Sequence, residues 1–215
     1  MSQVPSDVIT YLNQSNLIEG ITEIDYRNPN FLQADKGHYG AFVVSQNAAQ
    51  NRDVITAKMI RIWQGLLGRE QHDFSGDHID EKEIGHYRSP SLPINVRIGC
   101  NTPPSYKHVG LHMTNYLEDL NQALHENASH CQRDDEAFAK LVGEQFLRFE
   151  RIHPFADGNG RTGRLLANYI ATYCNRKIII FHGDMISRNR YLTAHDSEEA
   201  MINYIKTRIQ QNGHS

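Results

Sequence analysis

The sequence predicts a mainly α-helical protein that folds as a single domain. Apolar residues recur at helical spacing in most segments, and only one short apolar run, residues 178–181, is a candidate for a buried strand or turn. The 215 residues suffice for one hydrophobic core and only marginally for two, and no repeat, linker or low-complexity tract divides them. A bundle of helices around one core is therefore expected.

The first half of the chain is predicted to hold two helical segments. Ser6 or Asp7 can cap a short helix over residues 6–20. After a turn-rich stretch, apolar residues at helical intervals predict one long or broken helix over residues 41–67. Residues 69–80 are polar and are predicted to form a surface loop.

More helices are predicted in the second half, because a polar residue able to cap an N-terminus precedes most of the helical patterns. A polar connection is expected over residues 127–135. The predicted helix starts are Ser105, Asp134 or Asp135, a position near Arg161, Asp184, and Asp196 or Ser197.

Composition excludes several classes of function. A net charge of −3 is not the basic surplus expected of a nucleic-acid or anionic-membrane binder. No apolar run is long enough to span a membrane, and the N-terminus lacks the pattern of a signal peptide. We therefore expect a soluble, cytoplasmic protein that binds neither nucleic acid nor membrane.

The cysteines and histidines do not predict a metal centre of their own. Cys100, Cys131 and Cys174 are odd in number and widely spaced, which favours reduced structural thiols over a disulfide framework or a zinc site. The 12 histidines form no H-E-x-x-H motif and no close cluster with cysteine.

One stretch is unusually rich in chemically useful side chains: residues 153–164, H-P-F-A-D-G-N-G-R-T-G-R. Residues 158–160 can adopt positive φ at low cost, so their amide N–H groups can converge on one anion. Helical spacing after this turn predicts a helix that begins near Arg161 and directs its positive end at the same point. This anion nest suits a phosphate.

The polar side chains of the stretch extend that prediction. Asp157 provides the oxygen ligand that a magnesium ion bridging phosphates requires. His153 has the ordinary pKa, about 6.5, that suits a general base near neutrality. Arg161 and Arg164 share a helix face, and two guanidiniums suit a triphosphate better than a single phosphate.

Residues 153–164 match the pattern H-x-F-x-D-G-N-G-R-x-x-R at every position and so resemble the motif of Fic-domain enzymes. The resemblance implies a mainly α, single-domain Fic fold, a helical bundle with a short β-hairpin flap. It also implies transfer of AMP from ATP to a hydroxyl of a target protein, or of the enzyme itself, with Mg²⁺ as cofactor and release of pyrophosphate.

Carried over to this sequence, the resemblance makes His153 the catalytic base that deprotonates the target hydroxyl and Asp157 the magnesium ligand. Doc-type relatives, which transfer phosphate instead, usually carry Lys near the position of Gly160, so Gly160 argues against that branch. The implied nucleotide-binding and phosphate-binding residues are Gly158, Asn159, Gly160, Arg161, Thr162, Gly163 and Arg164, with the two arginines on the β and γ phosphates.

A second resemblance lies near the N-terminus. Residues 15–20, S-N-L-I-E-G, resemble the inhibitory motif [S/T]-x-x-x-E-[G/N] of Fic proteins, with Ser15 and Glu19 at its defining positions. In the subclass with an N-terminal inhibitory helix, the glutamate pairs with the second arginine of the motif, here Arg164. An Arg164 held in this way cannot orient the γ-phosphate, so ATP would bind unproductively. Composition alone favours the alternative, in which Glu19 points into solvent, and the resemblance reverses that preference.

Two further expectations concern substrates. Residues 85–88, G-H-Y-R, resemble the family's G-x-[YF]-R segment, which precedes a flap that can pair main chain to main chain with a target. The implied flap residues are Val96, Arg97, Ile98 and Gly99, and a plain edge hairpin is the alternative. Tyr191 is the candidate for stacking on adenine, and an ordinary core tyrosine is equally compatible with the sequence.

Two other functions remain open at this point. The same site can run in reverse and remove AMP from a modified protein, with Glu19 positioning water. The second alternative is a non-enzymatic module that binds nucleotide and changes its partner contacts. Such a module has no need of a base at His153. The expected partners are ATP and a hydroxyl-bearing target protein, with a homodimer as one candidate for the oligomeric state.

Overall fold

The computed structural model describes residues 4–76, 79–90 and 97–212. Most of this part of the chain is helical, which confirms the mainly α class. Eight α-helices lie within the described residues: α1 (Ser6–Ile18), α2 (Gly37–Gln50), α3 (Ala57–Phe74), α4 (Val109–Cys131), α5 (Asp135–Ile152), α6 (Asn159–Tyr173), α7 (Met185–Ala194) and α8 (Glu198–Asn212).

Helices α5 and α6 lie at the centre of the bundle. α5 packs against α4, α6 and α8, and α6 packs also against α2 and α3. Glycine allows a close approach on α5, because a Cβ at Gly143 would lie 2.9 Å from the backbone of Ile202 in α8. The largest fully buried apolar side chains include Tyr11, Trp63, Tyr116, Phe138, Phe146, Phe149, Phe155, Tyr169 and Phe181.

The first helix ends slightly earlier than predicted. α1 stops at Ile18, so Glu19 is the C-cap residue, and Gly20 follows with a left-handed φ of 79°. The N-cap is Pro5, and the predicted caps Ser6 and Asp7 both lie inside the helix. The carboxylate of Asp7 accepts only the neighbouring Val8 N–H, at 2.9 Å, which is a local contact and not a cap.

The predicted helix over residues 41–67 is two helices. The chain turns after Gln50, with Arg52 at φ 56°, and Thr56 caps α3 by accepting the Met59 N–H at 3.3 Å. α3 then continues to Phe74, so the first half of the predicted loop over residues 69–80 is helical. The loop prediction was wrong there because polarity was taken as exposure, whereas Gln71 is only 2% exposed.

Most of the later predicted caps are present. Asp134 accepts the Glu136 N–H at 2.8 Å, and Asp184 accepts the Ser187 N–H at 3.1 Å. Ser197 accepts the N–H of Ala200 at 3.1 Å at the start of α8. α4 differs, because it follows a short 3-10 turn after Ser105 and continues to Cys131, through half of the predicted polar connection.

Strand structure is sparse in the described part of the chain. Ile98 and Asn101 form an isolated antiparallel bridge, with N–H···O distances of 2.9 and 3.0 Å. Val96, with residues 91–95, lies outside the described residues, so the hairpin flap stays a prediction. The apolar run 178–181 is not a strand, since both backbone groups of Ile179 hydrogen-bond to the side chain of Asn168. Among the described helices, none combines the length and apolar character needed to cross a membrane.

Candidate active site

The turn between α5 and α6 carries the residues of the predicted anion nest. Gly158 has φ 77°, and α6 begins at Asn159, two residues before the predicted start. Gly160 therefore lies inside the first helical turn, and only the first of the two glycines uses left-handed backbone. The positive end of α6 faces the turn, as the sequence predicted.

Two side chains of the motif stabilise this turn from within. Asn159 Oδ1 accepts the Phe155 N–H and Asn159 Nδ2 donates to the Phe155 carbonyl, both at 2.9 Å. Thr162 Oγ1 donates to the Gly158 carbonyl at 2.8 Å. Both side chains are thus committed to the loop. A phosphate contact at Asn159 would rest on its backbone N–H, whereas the Thr162 N–H donates to the Gly158 carbonyl at 3.0 Å.

Gly163 faces α5 and not the anion nest. A Cβ at this position would overlap the carboxyl group of Glu150 and lie 3.0 Å from the Phe146 ring, so glycine is required for the close packing of α5 on α6. Burial raises the pKa of Glu150 to about 8, although the charge of Arg164 opposes that shift. Sequence reasoning gave Glu150 no role.

His153 is the C-cap residue of α5 and has a left-handed backbone, with φ 48° and ψ 62°. Burial and the charge of Arg88 lower its pKa to about 4, and the charges of Asp157 and Glu19 oppose this only in part. The buried Nδ1 atom has no hydrogen-bond partner within the described residues. The imidazole is therefore neutral near pH 7 and able to accept a proton.

Asp157 presents an exposed carboxylate beside the turn. Its Oδ2 atom accepts a hydrogen bond of 3.0 Å from Gln71 Nε2, and its Oδ1 atom accepts the Gly158 N–H at 2.5 Å. No group of three metal-ligating side chains occurs in the part of the chain that the structure describes. A single carboxylate fits Mg²⁺, which proteins often hold by one carboxylate together with substrate phosphates and water.

Arg161 is connected to Asp157 through α3. The buried guanidinium donates from Nη2 to Gln71 Oε1, so the Gln71 amide joins the arginine to the carboxylate. Sequence reasoning placed Gln71 in a surface loop and missed this contact. Its spacing of four residues from the core residue Leu67 is the signal that could have identified it as buried.

Arg164 is fully buried and reaches back to the first helix. Its Nε atom donates to Ser15 Oγ at 2.9 Å, and Nη2 donates to the Ser15 carbonyl at 2.8 Å. Nη2 also donates to Glu19 Oε1 at 2.7 Å, and Nη1 donates to the Tyr191 hydroxyl at 3.1 Å. The structure thus brings the predicted inhibitory residues onto the second arginine of the motif.

The carboxylate of Glu19 lies over the N-terminus of α6. A Cβ built at Gly160 would overlap Glu19 Oε1 and approach Arg164 Nη1 to 3.0 Å. Burial opposes ionisation of Glu19, but the charge and hydrogen bond of Arg164, helped by Arg161, lower its pKa below the ordinary value. An ionised carboxylate therefore lies against Gly160, in the first turn of the helix at whose N-terminus the sequence predicted a phosphate.

Tyr191 lies in a buried aromatic cluster and is 4% exposed. The guanidinium carbon of Arg164 lies 5.6 Å from its ring centroid, and the rings of His195 and Phe146 lie 4.7 and 6.1 Å away. This placement favours the core interpretation, and the predicted stacking on adenine stays untested.

The described flap residues Arg97, Ile98 and Gly99 precede α4, and Gly99 packs against the turn between α7 and α8. A Cβ at Gly99, whose φ is 55°, would overlap the carbonyl oxygen of His195 and lie 2.9 Å from the Cα atom of Asp196. Their docking role stays a prediction.

This geometry agrees with the comparison to known families. The model of the Fic/DOC family matches residues 54–171, more than half of the chain. The chain belongs to the Fic/DOC family.

Named relatives carry the same family identity. Residues of this chain are 29% identical over 142 positions to the protein adenylyltransferase Fic of Aedes aegypti, covering 64% of this chain and 22% of that protein. This chain is also similar to the protein adenylyltransferase fic-1 of Caenorhabditis briggsae. The two are 32% identical over 116 residues, which cover 49% of this chain and 20% of that protein. The match therefore spans about a fifth of these relatives.

Solved structures show the same fold at lower identity. A Fic-domain-containing signalling protein from Bacteroides thetaiotaomicron superposes with a TM-score of 0.65 at 20% identity, over 94% of this chain and 83% of that chain. A fragment of Fic-1 from Caenorhabditis elegans gives a TM-score of 0.65 at 18% identity, over 97% of this chain and 62% of that chain.

Proposed function

We propose that this protein is an autoinhibited, magnesium-dependent protein adenylyltransferase that transfers AMP from ATP to a hydroxyl of a target protein or of itself. One observation carries the proposal: the Glu19 carboxylate is bound by Arg164 over Gly160, where the N-terminus of α6 offers its unpaired N–H groups. A site that already holds one anion in this way is suited to the phosphates of a nucleotide.

The chemistry divides among residues that lie together. Neutral His153 accepts the proton of the target hydroxyl, whose oxygen attacks the α-phosphorus of ATP while the bond to the β-phosphate oxygen breaks. The electron pair of that bond leaves with pyrophosphate. The N–H groups at the start of α6, together with Arg161, hold the phosphates. A magnesium ion bound through Asp157 would neutralise charge on the phosphate oxygens.

Inhibition follows from the contacts of Arg164. Four of the five N–H donors of the guanidinium are bonded to Ser15, Glu19 and Tyr191 in this state, which leaves too few for a forked contact with a γ-phosphate. Removal of Glu19 frees one N–H of Nη2, while the other still donates to the Ser15 carbonyl, and it also clears the space beside Gly160. Both effects favour a productive ATP pose.

The test is incorporation of α-labelled ATP into protein, with self-labelling as the readout when no target is known. We expect little labelling by wild type and strong labelling by Glu19→Gly, lost when His153→Ala is added. Glu23→Gly is the matched control, because Glu23 is an exposed glutamate outside the site. Equal labelling by wild type and Glu19→Gly would overturn the inhibitory role and leave the transferase standing.

The reverse reaction has one observation in its favour. Only Oε1 of Glu19 is bonded to Arg164, and the side chain is 34% exposed, so its other oxygen is free to orient water within the described structure. Release of AMP from an AMP-modified protein by wild type, but not by Glu19→Gly, would establish removal as the direction. ATP binding without any labelling or AMP release would favour a nucleotide-binding module.

A further inference from the structure

The backbone of the catalytic base is held by a side chain from outside the motif. Arg88 is a buried arginine, 9% exposed, in the segment that follows α3. Its Nε atom donates to the His153 carbonyl at 2.7 Å, and Nη2 donates to the Ile152 carbonyl at 3.2 Å. The backbone N–H of Arg88 donates to the Pro154 carbonyl at 2.9 Å. One residue therefore satisfies three consecutive carbonyls around the base.

The same guanidinium also reaches the other side of the site. Nη2 of Arg88 donates to the carbonyl of Pro104, which precedes α4. The carbonyls of Ile152 and His153 lie at the C-terminus of α5, where helix carbonyls lack intrahelical partners and a cation is favourable. Arg88 thus connects the end of α5 to the start of α4.

The conformation that these bonds surround is an unusual one. His153 has φ 48°, in the left-handed region that a residue with a side chain rarely adopts. Such a conformation persists when surrounding contacts fix it. With the carbonyls of residues 152–154 all held, the backbone fixes the direction of the His153 Cα–Cβ bond, from which the imidazole extends.

From these contacts we propose that Arg88 is a positioning residue, which holds His153 in the left-handed conformation that aims its imidazole at the target hydroxyl. The proposal rests on the proposed function, because it assigns Arg88 to the base of that reaction. The role combines a bonding effect, through the carbonyls, with a charge effect on the imidazole.

The charge effect can be separated from the bonding effect. The groups that influence the His153 imidazole are Arg88, Asp157, Glu19 and the backbone of Glu150. Arg88 is the cation in this set and opposes protonation, whereas both carboxylates favour it. Loss of the Arg88 charge therefore raises the pKa of His153. In a plot of rate against pH, the acid limb, where protonation of His153 lowers the rate, then moves to higher pH.

The test uses Arg88→Lys and Arg88→Met in the Glu19→Gly background. Lysine keeps the charge but cannot make the forked bonds to several carbonyls, and methionine keeps neither. We expect both to lower kcat by about tenfold or more with the KM for ATP unchanged, the pattern of a lost interaction made only in the transition state. Only Arg88→Met should shift the acid limb of the pH–rate profile to higher pH. Arg148→Met, at an arginine 41% exposed on the surface, is the matched control.

Full kcat in Arg88→Lys would overturn the bonding part of the proposal, and an unshifted acid limb in Arg88→Met would overturn the charge part. The pKa of His153 can also be measured without turnover, by NMR titration of wild type, Arg88→Lys and Arg88→Met. The His153 resonance is assigned by its loss in His153→Ala. We expect a changed Cα shift of His153 in both variants and a raised pKa only with methionine. Unchanged values overturn the proposal, whereas absence of labelling by Glu19→Gly would overturn only the proposed function.

Discussion

Glu19 and Arg164 lie 145 positions apart in the chain and form a hydrogen-bonded ion pair of 2.7 Å, in which the arginine is fully buried and the glutamate side chain is 34% exposed. The pair ties the end of α1 to the first turns of α6. The same carboxylate lies against Gly160 in the first turn of α6, so a Cβ added at Gly160 would overlap Glu19 Oε1.

The Glu19–Arg164 pair predicts a stability that depends on pH. Glu19 has a lowered pKa, so its contribution is complete above the ordinary carboxyl value of 4.5 and is lost as pH falls through the lower folded-state value. We expect Glu19→Gln to lower the free energy of unfolding by about 1 kcal/mol at pH 7, a figure reduced for partial exposure. Urea unfolding should show this difference shrinking below about pH 4.5.

A glutamate without such a partner supplies the control. Glu198→Gln lies at the exposed start of α8, and its effect on the free energy of unfolding should be small at every pH. A difference for Glu19→Gln that stays constant down to pH 3 would show that the carboxylate charge is not what stabilises the pair.

Gly160 is predicted to be required both for inhibition and for phosphate binding. A methyl group at this position overlaps Glu19 Oε1, so Gly160→Ala displaces Glu19 and also obstructs the phosphate that would replace it. We expect Gly160→Ala, added to Glu19→Gly, to lower labelling by about tenfold or more, as loss of a charge-assisted hydrogen bond does. Gly110→Ala, at an open position of α4, is the control. Unchanged labelling would place the phosphates elsewhere.

Gln71 is predicted to set the magnesium dependence through Asp157. Its amide donates to Asp157 and accepts from Arg161, so Gln71→Leu frees both side chains from their present orientation. We expect the magnesium concentration for half-maximal labelling by Glu19→Gly to rise by about tenfold, as for other outer-shell partners of metal ligands. Gln122→Leu, on the exposed face of α4, should leave that concentration unchanged. If Gln71→Leu and Gln122→Leu changed the magnesium concentration for half-maximal labelling equally, Gln71 would not act through Asp157.

The loop of the candidate site, residues 153–158, could be predicted from local sequence because its determinants are adjacent. Gly158 supplies the left-handed turn, and His153 and Asp157 lie within five residues of it, so the spacing alone placed them together. The prediction of an anion site at the start of α6 followed from the same residues. The partner of Arg164 needed the resemblance at residues 15–20, because composition alone favoured a Glu19 that faces solvent.

The supporting residues could not be predicted in the same way. Arg88 contacts Ile152 across 64 positions and Gln71 contacts Arg161 across 90, and no local pattern encodes which helices will be neighbours. Polarity was also misleading, because Gln71 and Glu150 are polar residues buried in helix faces. Such residues are identified by their hydrogen-bond partners, and those depend on the packing of α3, α5 and α6.

Glu150 is predicted to make the protein less stable as pH rises. Burial raises its pKa to about 8 against an ordinary value of 4.5, so the unfolded chain releases its proton over a range in which the folded protein keeps it. We expect wild type to lose stability relative to Glu150→Gln between pH 4.5 and about 8, with a slope of at most about 1.4 kcal/mol per pH unit. Glu144→Gln, also on α5 but partly exposed, should show no such trend in urea unfolding. Parallel curves for wild type and Glu150→Gln would mean that Glu150 ionises normally.

Tyr191 separates two interpretations of the base-binding region. If its ring stacks on adenine, Tyr191→Leu should weaken ATP binding while leaving inorganic tripolyphosphate, which has no base, unaffected. The buried position of Tyr191 against Arg164 predicts otherwise, namely that the ratio of the two dissociation constants stays unchanged in Glu19→Gly protein. Tyr204→Leu is the matched control, because its ring lies 5.9 Å from Tyr191 in the same cluster and its loss creates a similar cavity. A selective loss of ATP affinity in Tyr191→Leu alone would show that the ring turns toward the nucleotide when Glu19 is absent.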